Sequence, residues 1–189
     1  DGKDFLVVQR TEMTRLRDED GDGVADAYLT AARGWNVSGN YHGYAYGPER
    51  DGKGNLWVSL NLDMGERANN AAPWRGWALT VGEKGQLQPM AAGLRSPCGL
   101  GTDLDGEMFV TDQQGTWVAA TPIHHLRKGV FYTNQESLET LKHPESPVTH
   151  AGALPKDCSY AEALKAAPVM APAAVWLPYN KMGRSGTDI

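Results

Sequence analysis

Three groups of residues in this sequence have the types and spacing to do chemistry. The first is the acidic run from Asp18 to Asp26, which reads DEDGDGVAD. Alternating carboxylates at Asp18, Asp20 and Asp22, a main-chain carbonyl at Val24 and a closing carboxylate at Asp26 offer the oxygen-rich set that Ca²⁺ takes. Gly21 and Gly23 allow the tight turn this needs. Leu29 stands where an EF-hand would place its bidentate glutamate, so the loop is not an EF-hand. Shorter calcium loops lack that residue too, and an ion-free acidic hairpin tip would use the same residues.

The second group is His42, followed by Gly43 at a loop-to-strand junction. Its ordinary pKa suits it to take a proton from a hydroxyl near neutral pH; a loop histidine bonded only to backbone is the bland alternative. The third group is Arg95-Ser96, ahead of a second Gly-rich stretch, with Gln114-Gly115 just after the strand that follows. An arginine there can hold a carboxylate bidentately, and the amide and glycine carbonyls can meet a ligand or an ion. His124-His125 falls in an expected strand, so the two rings point to opposite faces and cannot share a metal. His143 and His150 lie in a polar stretch where exposure is expected.

The elements that would position these groups recur. Asp4-Phe5-Leu6-Val7, Asn55-Leu56-Trp57-Val58 and Glu107-Met108-Phe109-Val110 are 51 and 52 residues apart, each with a glycine just ahead of it. A period near ~50 residues, all strand and turn, points to the four-stranded blades of a β-propeller. Further strands are expected at Phe5–Gln9, Thr11–Arg17, Tyr28–Ala32, Trp74–Val81, Gln86–Ala92, Trp117–Leu126 and Gly129–Tyr132. Gly47-Pro48 reads as a turn, Glu49–Lys53 as an added segment and Met64–Ala72 as a loop. At ~50 residues per blade the 189 residues make three to four blades, fewer than a closed ring usually holds, so the chain is expected to be part of a longer protein or to have its ring closed by another chain.

Residues 134–170 break the pattern and read as an insertion between blades. Within it, Ser159–Ala167 is the clearest helix: Ser159 and Glu162 form a capping box and Pro168 stops the run. Ala173–Tyr179 then reads as the start of a new strand.

Composition bounds the rest. With 22 Gly, 11 Pro, 6 Trp and 7 Tyr, the chain suits a turn-rich all-β protein. A net charge of −5 and no basic run argue against nucleic acid as a partner. No apolar stretch approaches the ~20 residues of a membrane helix, and no signal peptide is recognisable. Cys98 and Cys158 could form one disulfide; they lack the spacing of a zinc or covalent-haem motif.

Taken together, these stretches resemble the soluble PQQ-dependent sugar dehydrogenase-like (glucose/sorbosone dehydrogenase) β-propellers. The nearest likeness is to a planctomycete-type branch often labelled membrane-bound dehydrogenase. DEDGDGVAD is similar to that branch's acidic hairpin. His42 with Gly47-Pro48 and Asn55-Leu56-Trp57-Val58 is similar to the family's His…Gly-Pro-Asp-Gly-x-Leu-Tyr-Val. GLRSPCGLGTDLDGEMFVTDQQG (93–115) resembles its second Gly-Leu-Trp block, HHLRKGVFY the strand after it, and AVWLPYNKMGRSGTDI the start of the next blade.

The resemblance implies a six-bladed ring whose later blades lie outside this chain. It also implies a top-face site for pyrroloquinoline quinone (PQQ) beside Ca²⁺ and a periplasmic or secreted location. His42 would then be the base, Arg95 and Ser96 would help bind PQQ, and Gln114-Gly115 would lie near it or its calcium. The substrate would be a sugar or other alcohol, with a cytochrome as electron acceptor. The alternative is a non-catalytic propeller, stapled by calcium, that binds carbohydrate or protein.

Overall fold

Alternation of apolar residues along short strands builds three mainly antiparallel sheets that pack face to face. The computed structural model describes residues 4–65, 72–115, 117–149 and 158–189. The first sheet holds β1 (Asp4–Val8), β2 (Glu12–Arg17) and β3 (Ala27–Arg33). The second holds β4 (Ala45–Arg50), β5 (Leu56–Leu60), β6 (Trp77–Val81) and β7 (Leu87–Ala92). The third begins with β8 (Leu100–Thr102), β9 (Met108–Thr111) and β10 (Ala120–His125).

After β10 the chain leaves its own sheet. β11 (Val130–Phe131) pairs in parallel with β7 and covers the outer edge of the second sheet. A 3-10 helix (Gln135–Lys142) and α1 (Tyr160–Ala166) follow, and β12 (Val175–Pro178) returns to pair with β10. Two expectations change here. The excursion interrupts the third sheet between its third and outer strands instead of separating two blades. Val175–Pro178 completes that sheet instead of opening a new one.

The central sheet is buried on both faces, and its sequence shows why. In β6, Trp77, Leu79 and Val81 face the first sheet's cluster with Val58, Leu60 and Met13. Ala78, from the opposite face, joins Leu100, Met108 and Val110 of the third sheet. A strand enclosed on both sides reads as a continuous apolar run. The excursion supports the same core: Ala163, Ala167 and Met170 join the first cluster, and Trp77 donates its indole N–H to Thr140 Oγ1 at 2.8 Å.

β1, β5 and β9 carry the three matched segments. β5 and β9 each lie between the inner strand and the third strand of their sheets. The Gly-rich turns ahead of them share a mechanism. Asp51 Oδ1 accepts the N–H groups of Lys53 and Asn55, and Asp103 Oδ1 those of Asp105 and Glu107. Glu49-Arg50 finishes β4 and Asp51–Gly54 is its hairpin tip, so no segment is added there. Gly47-Pro48 lies inside β4, where the register with β5 shifts between Tyr46 and Glu49. A side chain at Gly47 would stand 2.6 Å from the Trp57 carbonyl oxygen, which fixes glycine at this bulge. The strand expected from Trp74 starts only at Trp77, because Trp74 takes a left-handed turn at φ 64°.

Candidate functional site

Strand directions sort the connections into two kinds. The tight hairpins 51–55, 82–86 and 103–107 lie at one end of the second and third sheets. The longer connections, of which residues 34–44, 61–65, 72–76, 93–99, 112–115 and 117–119 are described, lie at the other. His42, Arg95, Ser96, Gln114 and Gly115 all fall at the long-loop end.

The His42 loop is held from below by polar groups. Asn40, only 4% exposed, accepts the His42 N–H on Oδ1 at 2.9 Å and donates from Nδ2 to Met64 O at 2.9 Å. Arg10, in the turn between β1 and β2, donates to Asn40 O at 2.6 Å and Gly43 O at 3.2 Å. Buried Asp63 accepts the Ser38 hydroxyl at 2.6 Å, and Ser38 Oγ in turn accepts the Asn40 N–H at 3.3 Å. Through Ser38, Asp63 thus supports the histidine's loop. The ring packs on Tyr41, with centroids 3.8 Å apart. Its Nδ1 is buried with no hydrogen-bond partner among the described residues.

Beneath Gly43 lies Arg75, fully buried. Its Nη2 donates to Trp35 O and Asn36 O, while Nε and Nη1 have no hydrogen-bond partner among the described residues. Burial pushes its pKa down from the ordinary value, and the Asp63 charge opposes that shift.

A second network joins the sheets. Asn61 donates its backbone N–H to Tyr44 O at 3.0 Å and Nδ2 to Ser96 Oγ at 3.0 Å. Leu62 N–H reaches Arg95 O at 2.9 Å, and the Ser59 hydroxyl donates to Pro97 O at 2.7 Å. Asp112, 1% exposed, accepts the N–H groups of Arg95, Ser96 and Gln113 at 2.6–2.8 Å. Burial still pushes its carboxyl up to about 6, against the pull of those donors and the Arg95 charge. The Arg95 guanidinium donates from Nη1 to Gln113 Oε1 at 2.6 Å. Gln114 Oε1 and Asn61 Oδ1 are buried with no hydrogen-bond partner among the described residues. The sequence carries one usable signal for Asp112, an acidic residue directly after an apolar strand. It carries none for Asn61 or Arg75, whose partners are distant in the chain.

The acidic loop lies elsewhere. It joins β2 to β3 at the end of the first sheet away from the Arg10 turn. Ligand oxygens of Asp18, Asp20 and Asp22 lie within 4.8 Å of one another. Gly21 and Gly23 adopt φ of 86° and 88° and donate to Asp18. Asp26 accepts the Glu19 N–H at 2.7 Å and so closes the loop instead of joining the cluster. The Val24 N–H donates to Asp22 Oδ1 at 2.7 Å.

The remaining expectations divide. Cys98 and Cys158 are both free thiols, so the disulfide does not form. His124 and His125 do face opposite ways: His124 is buried, while His125 stacks on Phe109 and meets Glu107. His143 is half-buried on the Trp74 ring, and His150 lies outside the described residues. No helix among the described residues is long and apolar enough to cross a membrane.

Face-to-face antiparallel sheets, with long loops gathered at one end, define a β-propeller-type protein. The *Escherichia coli* soluble aldose sugar dehydrogenase, in its apo-form, shares this fold. The match has a TM-score of 0.53 and 13% identity, over 88% of this chain and 49% of that one. The chain belongs to the family described as "Domain of unknown function (DUF7133)", which matches residues 2–169. A glucose dehydrogenase aligns at TM-score 0.48 and 17% identity, over 71% of this chain and 43% of that chain. The holo PQQ domain of *Coprinopsis cinerea* pyranose dehydrogenase aligns at 0.45 and 13%, over 67% and 38%. The chain therefore spans half or less of the length of these structures. No curated protein matches it by sequence.

Proposed function

We propose that this chain carries the site-bearing sheets of a quinoprotein oxidoreductase that oxidises a hydroxyl of a sugar or related alcohol. One observation carries the reading. Asn61 and Gln114 each bring a buried side-chain oxygen, with no hydrogen-bond partner among the described residues, to the end of the sheets that carries His42, Arg95 and Ser96. Native proteins leave few such atoms, each costing about 1–3 kcal/mol, so a cluster of them fits a place where a ligand completes the bonding.

PQQ, when bound, supplies the two-electron acceptor. Arg95 has Nε and Nη2 left to hold a carboxylate, and Ser96 and Gln114 add polar contacts. Gly115 leaves room at the loop, since a side chain there would meet only Trp117 N at 3.8 Å. With Nδ1 enclosed, Nε2 is the His42 atom that receives the substrate's hydroxyl proton. The fold shared with the aldose sugar dehydrogenase supports the substrate class.

The same reading includes membership of the planctomycete-type branch, a periplasmic or secreted location and a cytochrome acceptor. It also includes a six-bladed ring completed by further sheets. The exposed faces of Phe5 (72%) and Tyr28 (71%) on the first sheet support that last point. Ca²⁺ at Asp18, Asp20 and Asp22 would be a structural staple, because that loop is remote from His42. That remoteness also favours the second reading, a calcium-stapled propeller that binds carbohydrate or protein without redox chemistry.

The test is reconstitution of the natural full-length protein with PQQ and Ca²⁺. Dye reduction with aldoses is expected, together with a thermal shift on PQQ addition. Absence of both, or an undiminished rate in His42→Ala, would defeat the enzymatic reading.

A further inference from the structure

Two tyrosines bracket His42, and nothing in the site described so far uses them. Tyr41 is 70% exposed, its ring tilted 38° against the imidazole with centroids 3.8 Å apart. Tyr44 is 43% exposed. The Arg10 guanidinium lies 5.8 Å from the Tyr44 ring centroid, and the Tyr46 ring lies 6.3 Å away.

The backbone under them is firmly set. Tyr44 N–H donates to His42 O at 2.6 Å, Arg10 clamps Asn40 and Gly43, and Tyr44 O accepts the Asn61 N–H. On this backbone the Tyr41 and Tyr44 rings keep much of their surface open to a ligand. The neighbouring His42 Nδ1 and Asn61 Oδ1 are buried with no hydrogen-bond partner among the described residues.

Open aromatic faces next to unsatisfied polar atoms suit a ligand with an apolar face and a polar rim. A pyranose ring has both: axial C–H bonds make one face apolar, and its hydroxyls radiate around the edge. We propose that Tyr41 and Tyr44 form an aromatic ledge that binds the substrate sugar ring by stacking and sets its hydroxyl edge toward His42. These are specificity-determining residues; they take no part in proton transfer. The inference rests on the sugar reading for its ligand class, but it needs neither PQQ nor turnover.

The test is direct binding of methyl β-D-glucopyranoside to the cofactor-free protein, read by saturation-transfer NMR and titration. Both residues are exposed, so their variants should fold; unchanged circular dichroism checks this. Tyr44→Phe and Tyr41→Phe, which keep the ring, should bind as wild type. Tyr44→Leu and Tyr41→Leu, which keep bulk without a π face, should each bind about tenfold more weakly. Equal binding by the leucine variants and wild type would overturn the ledge, as would no detectable binding by wild type. Loss in the phenylalanine variants as well would overturn stacking in favour of the hydroxyls. Dye reduction by the PQQ-loaded protein is scored separately. Activity with an intact KM in the leucine variants sinks the ledge and spares the function. Sugar binding that depends on the ledge, without any dye reduction, does the reverse.

Discussion

His124 offers a quantitative check on the interior of the third sheet. Its ring is fully buried against Tyr132, at a centroid distance of 4.3 Å, with Trp176 edge-on at 6.5 Å. Neither nitrogen has a hydrogen-bond partner among the described residues. Burial alone pushes its pKa down to about 3 from an ordinary 6.5. Above the ordinary value the imidazole is neutral in both the folded and unfolded chain, and pH has no effect through it. Below 6.5 the unfolded chain takes up a proton that the folded chain refuses, so stability falls with pH until the folded value near 3 is reached. At about 1.36 kcal/mol per unit, roughly 2 kcal/mol is lost by about pH 5.

Asp112 pulls the other way. Its folded pKa is raised from 3.8 to about 6, so acidification through that window restores stability. The wild-type profile alone is therefore ambiguous, and the informative quantity is a difference. His124→Phe keeps a ring in place and removes the titration. Urea unfolding of both proteins at about pH 7.5 and about pH 5 should show the variant gaining roughly 2 kcal/mol relative to wild type on acidification. At the higher pH the variant should already be at least as stable as wild type, because removing two unsatisfied buried nitrogens relieves their desolvation penalty; the further gain on acidification is what the titration adds. A difference that stays constant within about 0.5 kcal/mol across that range would refute the burial argument.

Two other perturbations probe the fold and the acidic loop. Gly106 has φ 80°, and a side chain there would stand 2.5 Å from Gly52 Cα; Gly23 has φ 88° but open space around it. Gly106→Ala should therefore destabilise by about 2–3 kcal/mol and Gly23→Ala by about 1 kcal/mol in chemical denaturation, and equal costs would count against close packing of the hairpins. Saturating Ca²⁺ should raise the thermal midpoint, with a gain of about 2.7 kcal/mol at a hundredfold excess over Kd. Asp20→Asn together with Asp22→Asn should abolish the rise; no calcium effect on wild type would remove the staple.

Local features were the most legible in the sequence. The capping box at Ser159 and Glu162 forms as expected, with α1 ending at Ala166, because all its partners lie within one turn. The acidic loop and the opposed His124-His125 rings are local in the same sense. Misreadings arose where distant chain decided. Gly47-Pro48 signals a turn, yet β5 draws it into a bulged strand. Val175–Pro178 looks like a beginning, yet its partner β10 lies before the excursion. The polar 135–142 stretch hides a 3-10 helix capped by Asn134, whose role is to bury Trp77. Within the site, His42 and Arg95 stood out by residue type. Asn61 and Arg75 did not, because each depends on a loop from a different element.

That dependence separates the two ends of the sheets physically. At the hairpin end the second and third sheets meet backbone to backbone: Gly52 N–H donates to Gly106 O at 2.8 Å, and neither glycine has room for a side chain. Such a contact fixes spacing but offers no chemistry. At the opposite end the same two sheets are joined by side chains and loop backbone, through Ser59 to Pro97, Asn61 to Ser96 and Leu62 to Arg95. The first sheet is tied in by Arg10. His42 and Arg95 therefore stand on different connections, and hydrogen bonds between sheets set their separation. A substitution such as Asn61→Ala would shift Arg95 and Ser96 relative to His42 while leaving each strand intact. It should thus impair ligand binding at the site more than it lowers the unfolding midpoint. An equal loss of both would mean that the inter-sheet bonds serve the fold and not the site.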